Sequence, residues 1–370
     1  MGPGPQSDTE LVTVVIGTRP ELVKMAPVVR AVQSSSRFSL RFIHTGQHYD
    51  DSLNGAFIRT LELPQPDVHL GVGSGTQAEQ TASALVAVET EVRETDPAVV
   101  LAQGDTNAVL SAALATSKLS VPFGHVEAGI RSFDRSMPEE VNRVVSDHVA
   151  EYLFAPTTVA AENLAAEGVT DGVHVTGNTV VDACLDHREV AREESSILSE
   201  LDLTPEEYAL ATIHRPRNTD DPDRLRRIVR TLDDVPFPVV FPIHPRTRDA
   251  LDDVGVEPDG SLRLIDPADY VDFLALLADA RLVVTDSGGV QEEASILETP
   301  CLTVRPNTER PETVDAGVND LVEPARLGDR LRDVYEWEHR RMVGAPDIYG
   351  DGSAGRRIVE VLERAVAGEK

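Results

Sequence analysis

The chain is 370 residues long, 41% hydrophobic, with 63 acidic against 34 basic side chains and a formal net charge of −29. That length accommodates two domains with separate cores. The lack of any apolar run near eighteen residues argues against a membrane-spanning helix, and the charge argues against nucleic acid or an anionic membrane as partner. Only three lysines occur, Lys24, Lys118 and Lys370. Acid-rich, lysine-poor composition spread along a whole chain fits a halophilic protein, because molar salt screens the self-repulsion. Acidic runs such as DDPDRLRR and LDDVGVEPDG then read as solvated surface and not as metal sites. The opening MGPGPQSDTE has neither a basic start nor an apolar core and reads as a lead-in, not a signal peptide. Cys184 and Cys301 lack metal-like spacing and read as reduced core thiols of a cytoplasmic protein.

Short runs rich in Val, Ile and Leu alternate with segments of helical length. LVTVVIG, LRFIHTG, AVVLAQG, VPFGHV and YLFAP form a first series; YALATIH, PVVFPIH, LRLIDP, LVVTDS and PCLTVRP form a second. Continuous apolar strands separated by amphipathic helices predict parallel sheets covered on both faces. Two series predict an α/β chain of two doubly wound domains facing across a cleft. The boundary falls near VHVTGNTVVDA (173–183), with a helix opening after Asn178. This gives an N-terminal domain over 1–177 and a C-terminal domain over 178–353. A last helix, about 354–370, is assigned to the first domain, although either could receive it.

Polar residues recur where these strands end. Gly17, Thr18 and Arg19 follow VTVVI, Asp105 follows AVVLAQG, and Glu127 follows VPFGHV. Glu139 follows Pro138 at an expected helix start. His214 and Arg215 follow YALATI, His244 follows PVVFPI, and Asp286 and Ser287 follow LVVT. Carboxyl ends of parallel strands face the crevice where open α/β sheets bind ligands. Several carboxylates in one crevice also suit proton transfer, because burial and like charge separate their pKa values into an acid and a base. Helix N-capping is the plainer reading of Asp105 or Glu139 taken singly.

The most specific local motif is VVTDSGGVQEEA (283–294). A strand runs into Ser287-Gly288-Gly289, whose glycines let backbone amides approach a phosphate at a helix N-terminus. One turn in, Glu293 is placed to accept from ribose hydroxyls. In GTRPE (17–21), Pro20 suits the first helical position and Arg19 suits a diphosphate; Lys24 follows one turn later. GVGSG (71–75) is a weak cluster without the dinucleotide fingerprint. With no P-loop, zinc spacing or nucleophile elbow in the sequence, neither cofactor nor metal is expected.

Taken together, GTRPELVKMAP, TGQHYD, QGDTNAVL, HVEAGIRS, MPEEVNR, TGNTVVDA, TIHRPRN, PIHPRT, DSGGVQEEA, TERPETVDAG and YGDG resemble the non-hydrolysing UDP-N-acetylglucosamine 2-epimerases, in order and over nearly the whole chain. The resemblance implies a GT-B fold, a homodimer, a role in cell-surface polysaccharide synthesis, and interconversion of UDP-N-acetylglucosamine with UDP-N-acetylmannosamine through a glycal. Matched residue by residue, it implies Asp105, Glu127 and Glu139 as the proton-transfer set. Arg19, Arg143 and His214 would hold the departing diphosphate. Ser287, Gly288 and Gly289 would contact phosphate, Glu293 the ribose, and Arg310 the nucleotide side, with Lys24 and His244 lining the cleft. Two stretches depart from the family pattern. Pro216-Arg217-Asn218 stands where an acidic residue usually follows His-Arg, and Gln47-His48-Tyr49 stands at the motif associated with activation by a second substrate molecule. A 2,3-diacetamido uronate epimerase, a hydrolysing epimerase, a GT-B glycosyltransferase and a non-catalytic sensor remain as alternatives.

Overall fold

The computed structural model describes residues 9–46, 58, 61–336 and 348–368; Gln47, His48 and Tyr49 lie outside them. The chain divides into two compact units, Met1–Ala183 with Tyr349–Lys370, and Cys184–Ile348.

The first unit is built on β1 (Glu10–Ile16), β2 (Phe38–His44), β3 (Val68–His69), β4 (Val99–Gln103), β5 (Phe123–Val126), β6 (Tyr152–Ala155) and β7 (Val173–Val175). All pair in parallel, in the order β3-β2-β1-β4-β5-β6-β7. Val12, Val14 and Ile16 of β1 are fully buried and Val15 nearly so. A central strand covered on both faces has no solvent side, hence its unbroken apolar run. Helices Arg19–Ser34, Gln77–Thr95, Asn107–Ser117, Pro138–Val149 and Thr158–Ala166 make the crossovers. The helix Ala354–Val366 returns to this unit. Asp182 accepts from the backbone N–H of Ala354 (3.1 Å) and Gly355 (2.9 Å), satisfying two donors that a helix start leaves open. A side chain at Gly355 would meet Pro27 backbone at 2.7 Å, so the missing Cβ lets this helix lie directly on Arg19–Ser34.

The second unit carries β8 (Ala209–Thr212), β9 (Val239–Pro242), β10 (Leu262–Ile265), β11 (Leu282–Thr285), β12 (Cys301–Thr303) and β13 (Asn319–Leu321), parallel in the order β10-β9-β8-β11-β12-β13. Alternate residues sort to opposite faces. Ala209, Ala211, Val239, Phe241, Leu282 and Val284 join one core cluster with Leu225, Ile228 and Leu331. Leu210, Val240 and Val283 join the other with Leu274, Leu277 and Ala294. The two-residue period of a strand thus builds two cores from one run of sequence. In both units the sheet order reverses beside the first strand, between β1 and β4 and between β8 and β11.

Replacing Gly355 by Val should force the two helices apart and cost about 1–3 kcal/mol, as overpacking does. Urea unfolding checks this; an unchanged midpoint would show that the close approach contributes nothing.

Candidate functional site

The loops after β1, β4 and β5 bring most of the expected first-domain residues together. Glu127 follows β5 with φ 69°, in the left-handed region that costs a non-glycine residue about 1–3 kcal/mol. Its side chain is fixed from two directions: Lys24 Nζ lies 2.5 Å from Oε1, and Gln103 donates to Oε2. Asp105, after β4, pairs with Arg143, whose other arm reaches Glu140 at 3.0 Å. The Asp105 carbonyl accepts from Asn142 at 2.8 Å. Thr106, not Asp105, is the N-cap residue of Asn107–Ser117, and Met137 that of Pro138–Val149, so neither suspected acid fills the cap position. Glu139 is exposed on the first turn of its helix, whereas Glu140 is buried and accepts from Ser132 and Phe133. Arg19 is exposed at the start of Arg19–Ser34.

Motif reading gives no role to two groups of this region, although Glu21 closes GTRPE and His125 and Arg131 stand in HVEAGIRS. Glu21 is 3% exposed. Its carboxylate accepts from the N–H of Gly17 and from that of Thr18 (2.9 Å), both in the loop after β1, and from Thr106 Oγ1 (2.5 Å) after β4. Burial pushes the carboxyl up to about 7; hydrogen bonds from Thr106, Gly17 and Thr18 oppose this, and nearby Asp105 adds to it. Thr18-x-x-Glu21 is a capping-box spacing, the signal that could have found it. Beneath the loops lies a second group. Asp147 accepts from His125 (2.6 Å), Arg131 (2.7 Å) and the Gly129 N–H (3.1 Å), and Arg131 also pairs with Glu167. His125, Gly129 and Arg131 stand within HVEAGIRS, but Asp147 and Glu167 lie up to 42 residues away and meet them only in the fold.

In the second unit, Asp286 sits at the end of β11 and is fully buried. It accepts from the N–H of His214 (3.1 Å) and of Arg215 (3.0 Å) and from Asn218 (2.8 Å), with the His214 ring 3.1 Å away. Burial opposes its ionisation, but these donors outweigh it and hold the carboxyl below its usual value. Ser287 caps Gly288–Ile296, accepting from Val290 at 3.5 Å. A Cβ on Gly288 would meet nothing within 4 Å, and one on Gly289 would reach only Ser287 Oγ at 4.0 Å. The protein's own packing therefore does not require these glycines, and they leave the helix N-terminus open to a ligand. Arg310 pairs with buried Glu292 at 2.5 Å. Glu293 is turned toward Tyr270 and Cys184, whose ionisation is suppressed first by burial and then by its carboxylate. Arg305 grips Glu309 with both arms (2.7 and 2.8 Å). Burial opposes ionisation there, but Arg305, Arg310 and Arg215 bring that carboxyl down to about 2. His244 caps Pro245–Val254 and is exposed, as is Arg217. Among the described residues no His, Cys, Asp and Glu cluster could hold a metal ion.

A family model described as UDP-N-acetylglucosamine 2-epimerase matches residues 30–363. A Methanocaldococcus jannaschii protein of that name is 41% identical over 361 residues, 95% of this chain and 98% of its own. A crystal structure of the enzyme from that organism, in complex with UDP-GlcNAc and UDP, superposes with a TM-score of 0.87 at 40% identity, covering 95% of this chain and 99% of that one. The UDP-2,3-diacetamido-2,3-dideoxy-D-glucuronate 2-epimerase of Pseudomonas aeruginosa is 38% identical over 365 residues, 95% of this chain and 99% of its own. The UGT2 glycosyltransferase of Phytolacca americana, 11% identical with a TM-score of 0.65 over 97% of this chain and 100% of that one, shares the fold alone. The fold is the two-Rossmann-domain GT-B type.

Folded Glu21 holds its proton more tightly than the unfolded chain. Its contribution is therefore stabilising, fully present below pH 4.5, and lost as pH rises through about 7. Between pH 5 and 8 the parent should lose up to about 3 kcal/mol relative to Glu21→Gln, which carries no titrating group there. Chemical unfolding of both proteins at each pH measures this; parallel curves would show that Glu21 does not titrate in the fold.

Proposed function

The chain belongs to the UDP-N-acetylglucosamine 2-epimerase family, and from that premise we infer that it interconverts UDP-N-acetylglucosamine and UDP-N-acetylmannosamine. The hydrogen on sugar carbon 2 has no neighbouring carbonyl to acidify it. A base therefore takes that proton as its bonding electrons form the C1–C2 double bond and the C1–O bond breaks, releasing UDP. Protonation of the resulting glycal at carbon 2 from the opposite face, with re-addition of UDP oxygen to carbon 1, gives the epimer. No electron is gained or lost, and the two faces call for two proton-transfer groups.

The observation that carries this reading is the pair Asp105 and Glu127 at neighbouring strand ends, each bound to a cation. With Glu139 they form the proposed proton-transfer set. Lys24 and Arg143 screen two of its members from one another. In the second unit, His214, Ser287 and the open Gly288-Gly289 amides are proposed to stabilise the diphosphate, on which charge develops as it leaves. Arg19 and Arg143 join them as phosphate ligands, and Arg310, Glu293 and His244 serve the rest of the nucleotide sugar. The relative named for a diacetamido uronate supports a second reading, in which the same chemistry acts on a sugar bearing a further carboxylate.

Three further properties belong to this proposal. The charge of −29 supports life in molar salt, and two free, buried cysteines support a reducing, cytoplasmic setting within polysaccharide synthesis. Ala78, Ala82 and Val86 lie exposed at four-residue spacing along Gln77–Thr95, with exposed Val141 on Pro138–Val149. Such an apolar face supports a homodimer.

Proton NMR in heavy water and molar KCl should show UDP-N-acetylmannosamine carrying deuterium at carbon 2, without accumulation of UDP. Asp105→Asn and Glu127→Gln should lower kcat about 10²–10⁴-fold with UDP affinity kept. Stoichiometric UDP from the parent would make the enzyme hydrolytic, and reaction only with a uronate would favour the second reading. Light scattering should find a two-chain particle in molar KCl that dissociates and unfolds as salt is removed, and Val86→Glu should be monomeric throughout. A monomer in high salt would refute the dimer.

A further inference from the structure

The buried group beneath the first-unit loops has no assigned part in this chemistry. His125, Asp147 and Arg131 are all 3% exposed or less. His125 Nδ1 lies 2.6 Å from Asp147 Oδ1, and Nε2 lies 2.8 Å from the Gly104 carbonyl oxygen. Both neighbours are acceptors, so both ring nitrogens must carry hydrogen and the ring is an imidazolium. Burial opposes that charge, but the Asp147 carboxylate and the Gly104 carbonyl outweigh it and raise the pKa of the ring. The opposite oxygen of Asp147 accepts from Arg131 (2.7 Å) and from the N–H of Gly129 (3.1 Å), and Arg131 grips Glu167 with two contacts (2.9 and 2.8 Å). Two buried cations thus flank the buried Asp147 carboxylate, and the part-exposed Glu167 carboxylate balances the second of them.

The covalent neighbours give the group its meaning. Gly104 precedes Asp105, His125 stands two residues before Glu127, Gly129 two residues after it, and Asp147 lies on the helix that carries Glu139 and Arg143. Gly129 has φ 82° and packs so closely on Ala160 that a Cβ would meet its carbonyl oxygen at 2.2 Å, so the loop accepts no side chain at this position. We propose that His125 is a positioning residue for the epimerisation: its imidazolium, clamped between Asp147 and the Gly104 carbonyl, holds the strand ends carrying Asp105 and Glu127 at a fixed separation. This rests on the functional reading above. A group that only stabilised the fold would leave kcat per folded molecule untouched, whereas a clamp on two proton-transfer loops governs turnover and how often the glycal is lost before re-addition.

The test compares parent, His125→Gln and Asp147→Asn in molar KCl, with UDP titration counting folded molecules. The expected result is a fall in kcat of about 30-fold per UDP-binding site, with KM and UDP affinity within about twofold, and a larger share of turnovers ending in free UDP and unsaturated sugar. Parent kcat and parent product ratio in UDP-binding variants would overturn the proposal. Should neither variant bind UDP, Glu167→Gln, at the part-exposed end of the group, decides: a fall in kcat of about threefold or more with unchanged KM supports the clamp, and parent kcat overturns it. A parent that epimerises no UDP-sugar would overturn the functional reading itself, and this assignment with it.

Discussion

Each unit has to tie together two loops that its own topology drives apart. In a parallel sheet covered on both faces, the strands consume their backbone hydrogen bonds internally, and polar groups come free only at the ends. Where the strand order reverses, the loops after the first and fourth strands turn away from each other and open a groove with unpaired N–H groups along it. Both units meet this demand with a buried carboxylate. Glu21 joins Gly17 and Thr18 after β1 to Thr106 after β4; Asp286, at the end of β11, joins His214, Arg215 and Asn218 after β8. The two differ in which effect wins. Burial opposes ionisation at both. At Asp286 the His214 ring and the surrounding donors outweigh it and the carboxyl is held ionised, while at Glu21 burial outweighs the donors, with nearby Asp105 adding to it, and the carboxyl rises to about 7. The groove and the titrating group come from one constraint.

A net charge of −29 makes every additional buried carboxylate costly unless a cation stands beside it. The first unit concentrates cations where carboxylates cluster: Lys24 on Glu127, Arg143 between Asp105 and Glu140, and Arg131 with His125 around Asp147. Lys24, one of three lysines in the chain, is spent on such a pair. Exposed pairs such as Arg93 with Glu89, Arg246 with Asp220 and Arg356 with Glu360 also occur, but water and salt screen them and each contributes little. The interior cannot be screened and has to be neutralised residue by residue.

This division explains what the sequence disclosed. Ten strands among the described residues announce themselves as apolar runs, and the loops that follow them hold Asp105, Glu127, His214 and Ser287. The edge strands β3, β7 and β13 do not: β12 is no longer than β7 or β13, but it lies in the apolar stretch PCLTV, whereas Val-His, Val-His-Val and Asn-Asp-Leu are too polar for their length to show a period. Glu139 and Glu140 are adjacent and chemically identical; only the helix phase decides that one faces water while the other holds Arg143 and the turn at Ser132. His125 stands in the apolar strand run VPFGHV and, with Arg131, in HVEAGIRS, while Asp147 belongs to no such motif. Their meeting depends on β4, β5 and the Pro138–Val149 helix being neighbours, which no local pattern encodes. A motif shows which residues stand close in sequence, and not which of them meet a side chain from a distant element.

The backbone at Glu127 shows why those hidden groups matter. A left-handed glutamate relaxes unless its surroundings over-determine it. Here the side chain is gripped by Lys24 and Gln103, Ala128 donates to Phe154 (3.2 Å), and Gly129 donates to Asp147. Relaxation would rotate the carboxylate away from any fixed neighbour. Elimination followed by re-addition is unusually sensitive to such drift, because the glycal between the two steps bears no charge and has lost its covalent link to UDP. Nothing holds it in register except the geometry of the groups around it. On the proposed mechanism, displacing whichever carboxyl returns the proton would slow that step while leaving UDP free to depart, so a loss of order would show as leakage as well as slower chemistry. If Glu127 belongs to the proton-transfer set as proposed, strain at its backbone, offset by the buried ionic group behind the loop, is what would keep the second half of the reaction faster than escape.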